Sequence, residues 1–283
     1  MSKFQIRNMT QEEVRNYAVE WAKQEGWNPG LYDSECFYKA DPNGFFAGVL
    51  DGEIIGTISV VRYDSTYGFG GFYIVKNEHR GKGYGMQLFE HALEYLGDRN
   101  FGGDGVVENL EMYKTVGLEL DHMNARYKGF GTGKPNISEN VIPLSQISLD
   151  DLSEYDAAVF GFTRESFLKC WIDQPDSFSY GYLENGKLMG YGVLRKCFNG
   201  YKIGPLFADT DKIASELYSS LVNQVGSNDE IFFDIPEVSA GSLAIVEKHN
   251  MEKIFATGRI YTKGRPKEID LSRWYGVTSF ELG

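Results

Sequence analysis

One glycine-rich segment in the first half of the chain has the residue types of an anion-binding turn. Arg80 is followed by Gly83 and Gly85, and the segment lies between an apolar run that ends at Val75 and an amphipathic stretch. Glycine lets the backbone approach a ligand closely, and the N-terminus of a helix carries about half a positive charge. The segment from Arg80 to Met86 is therefore predicted to hold a phosphate-bearing ligand.

Two familiar phosphate-binding motifs do not fit this segment. A dinucleotide fingerprint needs a third glycine, but Met86 and Leu88 occupy the candidate positions. A nucleoside-triphosphatase loop needs Ser or Thr after Gly81-Lys82, where this chain has Gly83. A plain helix-entry turn without a ligand stays open as an alternative, because glycine also serves turns that bind nothing.

The spacing Arg80-x-x-Gly83-x-Gly85 resembles the acyl-CoA signature of the GNAT superfamily of N-acetyltransferases, Gln/Arg-x-x-Gly-x-Gly/Ala between a strand and a helix. The resemblance implies acetyl-CoA as co-substrate, with its pyrophosphate held by the turn. It assigns cofactor binding to residues of the strand and of the turn. These are Tyr73, Ile74, Val75, Arg80, Gly81, Lys82, Gly83, Tyr84, Gly85 and Met86.

A tyrosine further along the chain matches a second phrase of the same family. The segment Tyr113 to Leu118 is similar to Tyr-x-x-x-Gly-Phe, which the family has between its fifth strand and its last helix. In many members this tyrosine protonates the coenzyme A thiolate as it leaves, a suitable role for a phenol beside a developing anion. The resemblance thus implies a catalytic Tyr113. The alternative is a buried aromatic side chain that anchors a short helix.

Two further roles follow from the resemblance, although the chain departs from the family pattern. Many members have an asparagine seven residues before the tyrosine, where this chain has Val106; Asn109 is instead the candidate for contacting the pantetheine arm. Asp104, near the expected fifth strand, is the candidate general base. Glu78 and His79 beside the turn are alternatives for that base.

The acceptor is specified less closely than the cofactor. The family has part of its acceptor pocket between the first two helices, where Trp27 and Tyr32 are candidate substrate-binding residues. The 283 residues include 40 Asp and Glu against 28 Lys and Arg, and the resulting charge of −12 disfavours nucleic-acid binding. It mildly favours a cationic substrate. We expect a small-molecule or peptide amine, no nucleic acid and no membrane partner, while the oligomeric state is not specified.

The secondary-structure elements that must position these residues belong to a sequence pattern that occurs twice along the chain. Asp51 to Gly56 and Asn185 to Gly190 are the same hairpin phrase at an offset of 134 residues. Arg126 and Arg259 stand in matching segments at an offset of 133. The repeat predicts an α/β (α+β) protein of two tandem domains, each a mostly antiparallel twisted sheet flanked by helices. The predicted domains are residues 1–135 and 136–283.

Local patterns predict individual elements in each half. The expected hairpins join Gly44 to Leu50 with Ile54 to Arg62, and Phe178 to Leu183 with Leu188 to Arg195. The expected entry helices are Thr10 to Gln24, which starts with a capping box, and the pair Leu149 to Phe160 and Arg164 to Trp171.

The second half is predicted to keep the fold and to lack the site. At the repeat offset, the four motif residues of the first half align with residues that lack their chemistry. Arg80, Gly83, Gly85 and Tyr113 correspond to Ala214, Leu217, Ser219 and Val246. Thr210 and Asp211 are expected to start a plain capped helix there. This pattern resembles a subgroup of the family with a degenerate C-terminal acetyltransferase-like domain, and we do not expect that domain to bind acyl-CoA in the same way.

Cysteine usage and apolar runs bear on the compartment. Cys36, Cys170 and Cys197 are widely spaced and odd in number, which predicts reduced thiols. With neither a secretory signal nor an apolar run long enough to span a bilayer, we expect a cytoplasmic protein. The four histidines make no metal-binding spacing.

These features predict an N-acetyltransferase that moves an acetyl group from acetyl-CoA to a primary amine by direct attack in a ternary complex. The alternative is a non-catalytic acyl-CoA-binding sensor or scaffold that keeps the cofactor cradle.

Overall fold

A computed structural model describes residues 3–283, and its strands form one 13-stranded sheet. The strands are β1 (Phe4–Asn8), β2 (Phe45–Leu50), β3 (Glu53–Arg62), β4 (Tyr67–Val75), β5 (Asn100–Val106), β6 (Glu119–Phe130), β7 (Val141–Pro143), β8 (Phe178–Glu184), β9 (Lys187–Lys196), β10 (Tyr201–Ala208), β11 (Glu230–Pro236), β12 (Glu252–Tyr261) and β13 (Trp274–Gly276). The pairing is mostly antiparallel, with parallel pairs only between β4 and β5 and between β10 and β11.

Helices cover the sheet in the order that the sequence predicts. They are α1 (Gln11–Glu13), α2 (Glu20–Gln24), α3 (Asp33–Ala40), α4 (Tyr84–Leu96), α5 (Leu110–Thr115), α6 (Leu149–Phe160), α7 (Glu165–Trp171), α8 (Asp211–Val222) and α9 (Ala240–Lys248). A π-helical stretch, Val14–Val19, joins α1 to α2. Within residues 3–283, none of these helices has the length and hydropathy needed to cross a membrane.

Local signals account for most of these boundaries. The Thr10 hydroxyl accepts a hydrogen bond from the amide of Glu13, and the Glu13 carboxylate accepts one from the amide of Thr10, which is the predicted capping box. Asp51 and Asn185 take positive φ angles of 50° and 51° in the two predicted hairpin turns. The edge strands β1 and β7 were not predicted, because short edge strands carry little hydrophobic alternation.

The strands β6 of the first half and β12 of the second half each lie beside strands of the other half. The strand order is β1-β2-β3-β4-β5-β12-β6-β11-β10-β9-β8-β7, with β13 beside β10. Thus β12 pairs with β5, β6 pairs with β11, and β6 and β12 pair with each other at the centre. Strands therefore cross the predicted division near residue 135, and the two halves share one sheet.

Two buried ion pairs accompany this exchange of strands. Arg126 of β6 donates to both carboxylate oxygens of Asp234 on β11, each at 2.7 Å. Arg259 of β12 donates to Asp104 of β5 at 3.0 and 2.7 Å. The four side chains are at most 3% exposed. Because an uncompensated buried charge is costly, each pair favours the observed neighbour for β5 and for β11.

A disulfide joins the two halves, so the prediction that Cys36 and Cys170 are reduced thiols is wrong. Cys36 of α3 is bonded to Cys170 of α7, at a sequence separation of 134 residues. That separation equals the repeat offset, so the two cysteines occupy corresponding positions of the repeat and meet where α3 packs against α7. The spacing of the cysteines along the chain does not by itself indicate that these two are paired. Cys197 is a buried free thiol.

The largest hydrophobic core runs through both halves and includes Phe37, Phe72, Trp171 and Leu282. The rings of Phe37 and Trp171 stack with centroids 5.7 Å apart across the contact between the halves. The C-terminal tail, residues 277–283, is buried throughout. The end of the chain is therefore part of the interior beside the site described next.

Candidate active site

The strands β4 and β5 separate partway along their length. They pair in parallel only from Tyr67–Gly70 with Asn100–Gly103. Just beyond, Phe72 and Tyr73 of β4 oppose the single residue Ile58 of β3, a β-bulge in which Phe72 has a φ of +48°. The separation opens a cavity of about 580 Å³ between the two strands.

Most of the predicted site residues line this cavity. They are Trp27, Tyr73, Ile74, Val75, Arg80, Gly81, Gly85, Asp104, Asn109 and Tyr113. Lys82, Gly83, Tyr84 and Met86 lie on the adjoining turn and first helical residues, outside the lining. Tyr32 lies elsewhere, with its hydroxyl 3.4 Å from a carboxylate oxygen of Asp176.

The glycine-rich turn has a backbone that favours glycine and leaves space beside it. Gly81 and Gly83 have φ angles of +72° and +85°, and a Cβ on either would have no atom within 4 Å. No side chain caps the first turn of α4. A Cβ at Gly85 would lie 2.7 Å from the hydroxyl of Tyr73. The turn therefore offers unpaired backbone N–H groups to an anion, which fits the pyrophosphate of a coenzyme A thioester.

Side chains fix this turn to the end of β4. Arg80 Nε donates to the carbonyl of Val75 at 2.7 Å, and Arg80 Nη2 donates to Glu25 Oε1 at 2.7 Å. Lys82 Nζ donates to the carbonyl of Glu78 at 2.7 Å. The alternative bases Glu78 and His79 are not among the residues that line the cavity.

Tyr113 of α5 projects its ring against β5 at the cavity. A Cβ at Gly105 would overlap Cε2 of that ring and lie 2.8 Å from its Cδ2, so a glycine is needed there. Burial raises the pKa of Tyr113, and the neighbouring side chain of Asn109 opposes the shift. Burial raises the pKa of Tyr73 to about 12. Both phenols are thus protonated at neutral pH, and Tyr113 can donate a proton.

Asp104 is already fully engaged by other side chains. Besides the two hydrogen bonds from Arg259, its Oδ1 accepts one from Asn124 Nδ2 at 2.8 Å. Both carboxylate oxygens are thus occupied by donors, within a buried ion pair that joins β5 to β12. The base role of Asp104 stays a prediction, and the contacts of its carboxylate are those of a structural ion pair.

Several cavity residues were missed because they come from distant parts of the chain. They are Phe255 and Thr257 of β12, and Phe280 and Glu281 of the tail; Phe72 of β4, which adjoins Tyr73, was also missed. Trp27 is held beside them because Arg126 Nη1 donates to its carbonyl at 2.5 Å. The sequence offered one signal for these residues: Glu281 is a charged residue between the apolar Phe280 and Leu282.

The corresponding gap in the second half is filled by the protein itself. There β10 and β11 pair in parallel over Tyr201–Ile203 with Ile231–Phe233 and then separate. The strand β13 occupies the opening: it pairs with β10 and packs on β11, and the amide of Val277 donates to the carbonyl of Asp234 at 2.9 Å.

The turn before the helix also differs between the halves. Residues 76–83 connect β4 to α4, whereas only residues 209–210 connect β10 to α8. As expected, the Thr210 hydroxyl caps α8 by accepting from the amide of Ile213 at 3.3 Å. The positions that the repeat offset assigned to the motif, Ala214, Leu217 and Ser219, lie inside α8. The second half has no counterpart of the glycine-rich turn, and the constant offset fails at that point.

Among residues 3–283, no group of three or more His, Cys, Asp or Glu side chains is arranged to hold a metal ion.

Comparison with known proteins gives the same family for both halves. A model described as the acetyltransferase (GNAT) family matches residues 6–116, and one described as an acetyltransferase (GNAT) domain matches residues 152–276. A curated relative, the holothin acyltransferase of Pseudoalteromonas sp. (strain SANK 73390), is 29% identical over 264 residues, which are 93% of this chain and 90% of that relative.

Solved structures agree on the fold. A putative acetyltransferase from Pyrococcus horikoshii has a TM-score of 0.82 at 20% identity, covering 99% of this chain and 96% of that one. A tandem GNAT protein from the clavulanic acid biosynthesis pathway has a TM-score of 0.65 at 11% identity, covering 92% of this chain and 98% of that one. The chain therefore belongs to the GNAT superfamily of acyltransferases and carries two GNAT domains in tandem.

Proposed function

We propose that this protein transfers an acetyl group from acetyl-CoA to a primary amine by direct attack in a ternary complex. The observation that carries the proposal is the continuous path along one cavity, from the uncapped start of α4, past the bulge of β4, to Tyr113. Such a path suits a long, extended ligand with an anionic end and a reactive end.

In this proposal the segment Arg80 to Met86 holds the pyrophosphate, and Asn109 contacts the pantetheine arm. The backbone of Tyr73 to Val75, which no longer pairs with β5, positions the thioester and polarises its carbonyl oxygen. Acetyl-CoA supplies the activated acyl group. Holding both substrates side by side contributes much of the rate gain through orientation.

The acyl transfer needs two proton movements. The amine nitrogen attacks the thioester carbonyl carbon, a C–N bond forms, and the C–S bond then breaks. Tyr113 donates its phenolic proton to the departing thiolate, so coenzyme A leaves as the free thiol. The raised pKa of Tyr113 keeps this proton in place at neutral pH. The amine must lose a proton to a base in the same cavity.

We propose an acceptor amine that is carried on a flat, apolar body. The walls of the cavity that are left for the acceptor are aromatic, formed by Trp27, Phe72, Phe255 and Phe280. The name of the holothin acyltransferase, which matches over most of both chains, supports a small-molecule acceptor. Tyr32 does not line the cavity, so we leave it out of this acceptor site.

A direct test incubates the protein with acetyl-CoA and a panel of aromatic amines, aliphatic amines, polyamines and lysine peptides. Release of free thiol and the gain of an acetyl group, detected by mass spectrometry, are the expected result. Tight binding of acetyl-CoA in calorimetry with no turnover of any amine would instead support the non-catalytic sensor. No binding of acetyl-CoA would contradict both functions.

A further inference from the structure

The C-terminal tail leads from the filled gap of the second half to the open cavity of the first. It leaves β13 with the amide of Val277 bonded to the carbonyl of Asp234 on β11. Arg164 Nη1 donates to the Thr278 hydroxyl at 2.9 Å, and the Tyr63 hydroxyl donates to the carbonyl of Leu282 at 2.6 Å. Groups from both halves thus fix the path of the tail.

This path brings Glu281 against β4 at its bulge. A Cβ at Gly71 would lie 2.9 Å from the Cα of Glu281, so the glycine provides the room for the tail. The next residue of β4 is Phe72, where the register shifts, and both Gly71 and Phe72 line the cavity. Glu281 therefore lies beside the segment that positions the thioester in the proposed function.

The Glu281 carboxylate is buried and unengaged. The residue is 5% exposed and lines the cavity. Among the described residues, no side chain forms a hydrogen bond or ion pair with it, whereas Asp33, Asp104, Asp156 and Asp234 are each paired with an arginine. Such a carboxylate is free to accept a proton from a ligand.

Charges on four neighbouring elements act on this group. Burial raises the pKa of Glu281, the cations of Lys202, Arg126 and Arg195 lower it, and Asp33 raises it. The net shift is upward, so the carboxylate is a stronger base than an exposed glutamate.

We propose that Glu281 is the general base of the acyl transfer, a role that rests on the function proposed above. As the amine nitrogen bonds to the carbonyl carbon, its proton passes to the Glu281 carboxylate. The C–S bond breaks, the thiolate takes its proton from Tyr113, and exchange with solvent then restores both side chains. The second GNAT domain thus completes the active site of the first through its tail.

The test compares Glu281→Gln with wild type, using acetyl-CoA and whichever amine of the panel the wild type acetylates. We expect kcat/KM to fall by about 10²–10⁴-fold, the usual contribution of a general base. Binding of acetyl-CoA in calorimetry should stay within about twofold, because the cradle at α4 is untouched. Glu268→Gln, an exposed position near the tail with the same change of charge, should leave kcat/KM unchanged.

A pH profile separates catalysis from packing. With rates expressed per unprotonated amine, wild-type kcat/KM should fall at acid pH as Glu281 is protonated, and Glu281→Gln should lack this limb. Glu281→Asp keeps a carboxylate and should retain the limb with a smaller loss of rate. If Glu281→Gln fails to fold, the limb of Glu281→Asp decides, since its disappearance would contradict the proposal.

The possible results are distinct. A wild type that acetylates an amine while Glu281→Gln is equally active, with the same acid limb, overturns the role of Glu281 and leaves the acyltransferase function standing. A wild type that binds acetyl-CoA but acetylates no amine overturns the proposed function, and the base role with it.

Discussion

The two GNAT domains open the same gap in the sheet and treat it in opposite ways. Between β4 and β5 the gap is an open cavity, whereas between β10 and β11 it holds β13. Backbone groups at a strand edge need hydrogen-bond partners, and the protein supplies them from its own chain in the second half. In the proposed function, the extended arm of acetyl-CoA takes the corresponding place in the first half.

The N-termini of α4 and α8, which lie beside the two gaps, also differ in whether the protein itself supplies their hydrogen-bond partners. The amides at the start of α4 have no side-chain cap, whereas Thr210 caps α8 and the hydroxyl of Tyr275 donates to Asp211 at 2.7 Å. One helix start is thus available to a ligand and the other is satisfied internally. A ligand site can be removed from a fold by filling it, with little change to the sheet.

The largest expected effect is on catalysis in the open cavity of the first domain. Tyr113→Phe should lower kcat by about 10²–10⁴-fold while the affinity for acetyl-CoA is retained, because only the proton donor is lost. Steady-state kinetics with calorimetry measure both quantities, and Tyr32→Phe is the matched control outside the cavity. Because the pKa of Tyr113 is raised, wild-type kcat should decline only above pH about 10. An active Tyr113→Phe variant would refute the acid role.

The two exchanged ion pairs test whether Asp104 is structural. Asp104→Asn and its counterpart Asp234→Asn should each lower the free energy of unfolding by about 3–5 kcal/mol, because each leaves a buried arginine without its partner. Urea denaturation measures both. Equal losses in the two halves would establish a shared structural role. A stable Asp104→Asn variant that has lost turnover would instead support the predicted role of Asp104 as the base.

A smaller effect is expected at the glycine turn. Gly83→Glu should weaken acetyl-CoA binding by about 100-fold, since like charges about 6 Å apart repel by about 3 kcal/mol at an effective dielectric constant of 20. Gly186→Glu is the matched control: Gly186 also has a positive φ, of +78°, with no atom within 4 Å of an added Cβ. Calorimetry on both variants gives the comparison. Unchanged affinity in Gly83→Glu would remove the cradle from the proposal.

The smallest effect is expected in the second domain, where β13 fills the gap. Thr210→Ala should lower the free energy of unfolding by about 1 kcal/mol through loss of the α8 cap. Its affinity for acetyl-CoA and a stoichiometry of one per chain should equal those of wild type. Thermal melts and calorimetry provide these values. A second acetyl-CoA bound per chain, in wild type or in the variant, would contradict the claim that the gap of the second domain is closed to this ligand.

Much of the fold could be predicted because its signals are local. Asp51-Gly52 and Asn185-Gly186 give the hairpins, and Thr10 with Glu13 gives the first helix start. The same holds for the glycine turn, whose conformation depends on Gly81 and Gly83 themselves. These features follow from the preferences of a few adjacent residues, and the repeat displays them twice.

The remaining features depend on residues that are far apart in the chain. Asp104 looked like a free carboxylate until β12 placed Arg259 beside it, and Cys36 looked like a lone thiol until α7 brought Cys170 to it. Glu281 has no motif around it, since nothing near it in the sequence forms the cavity that it lines. Local sequence thus determined the elements, the repeat and the cofactor motif, because these rest on short-range backbone preferences. Tertiary structure alone decided the strand exchange, the fate of each gap and the surroundings of each carboxylate, because these depend on which distant groups are buried together.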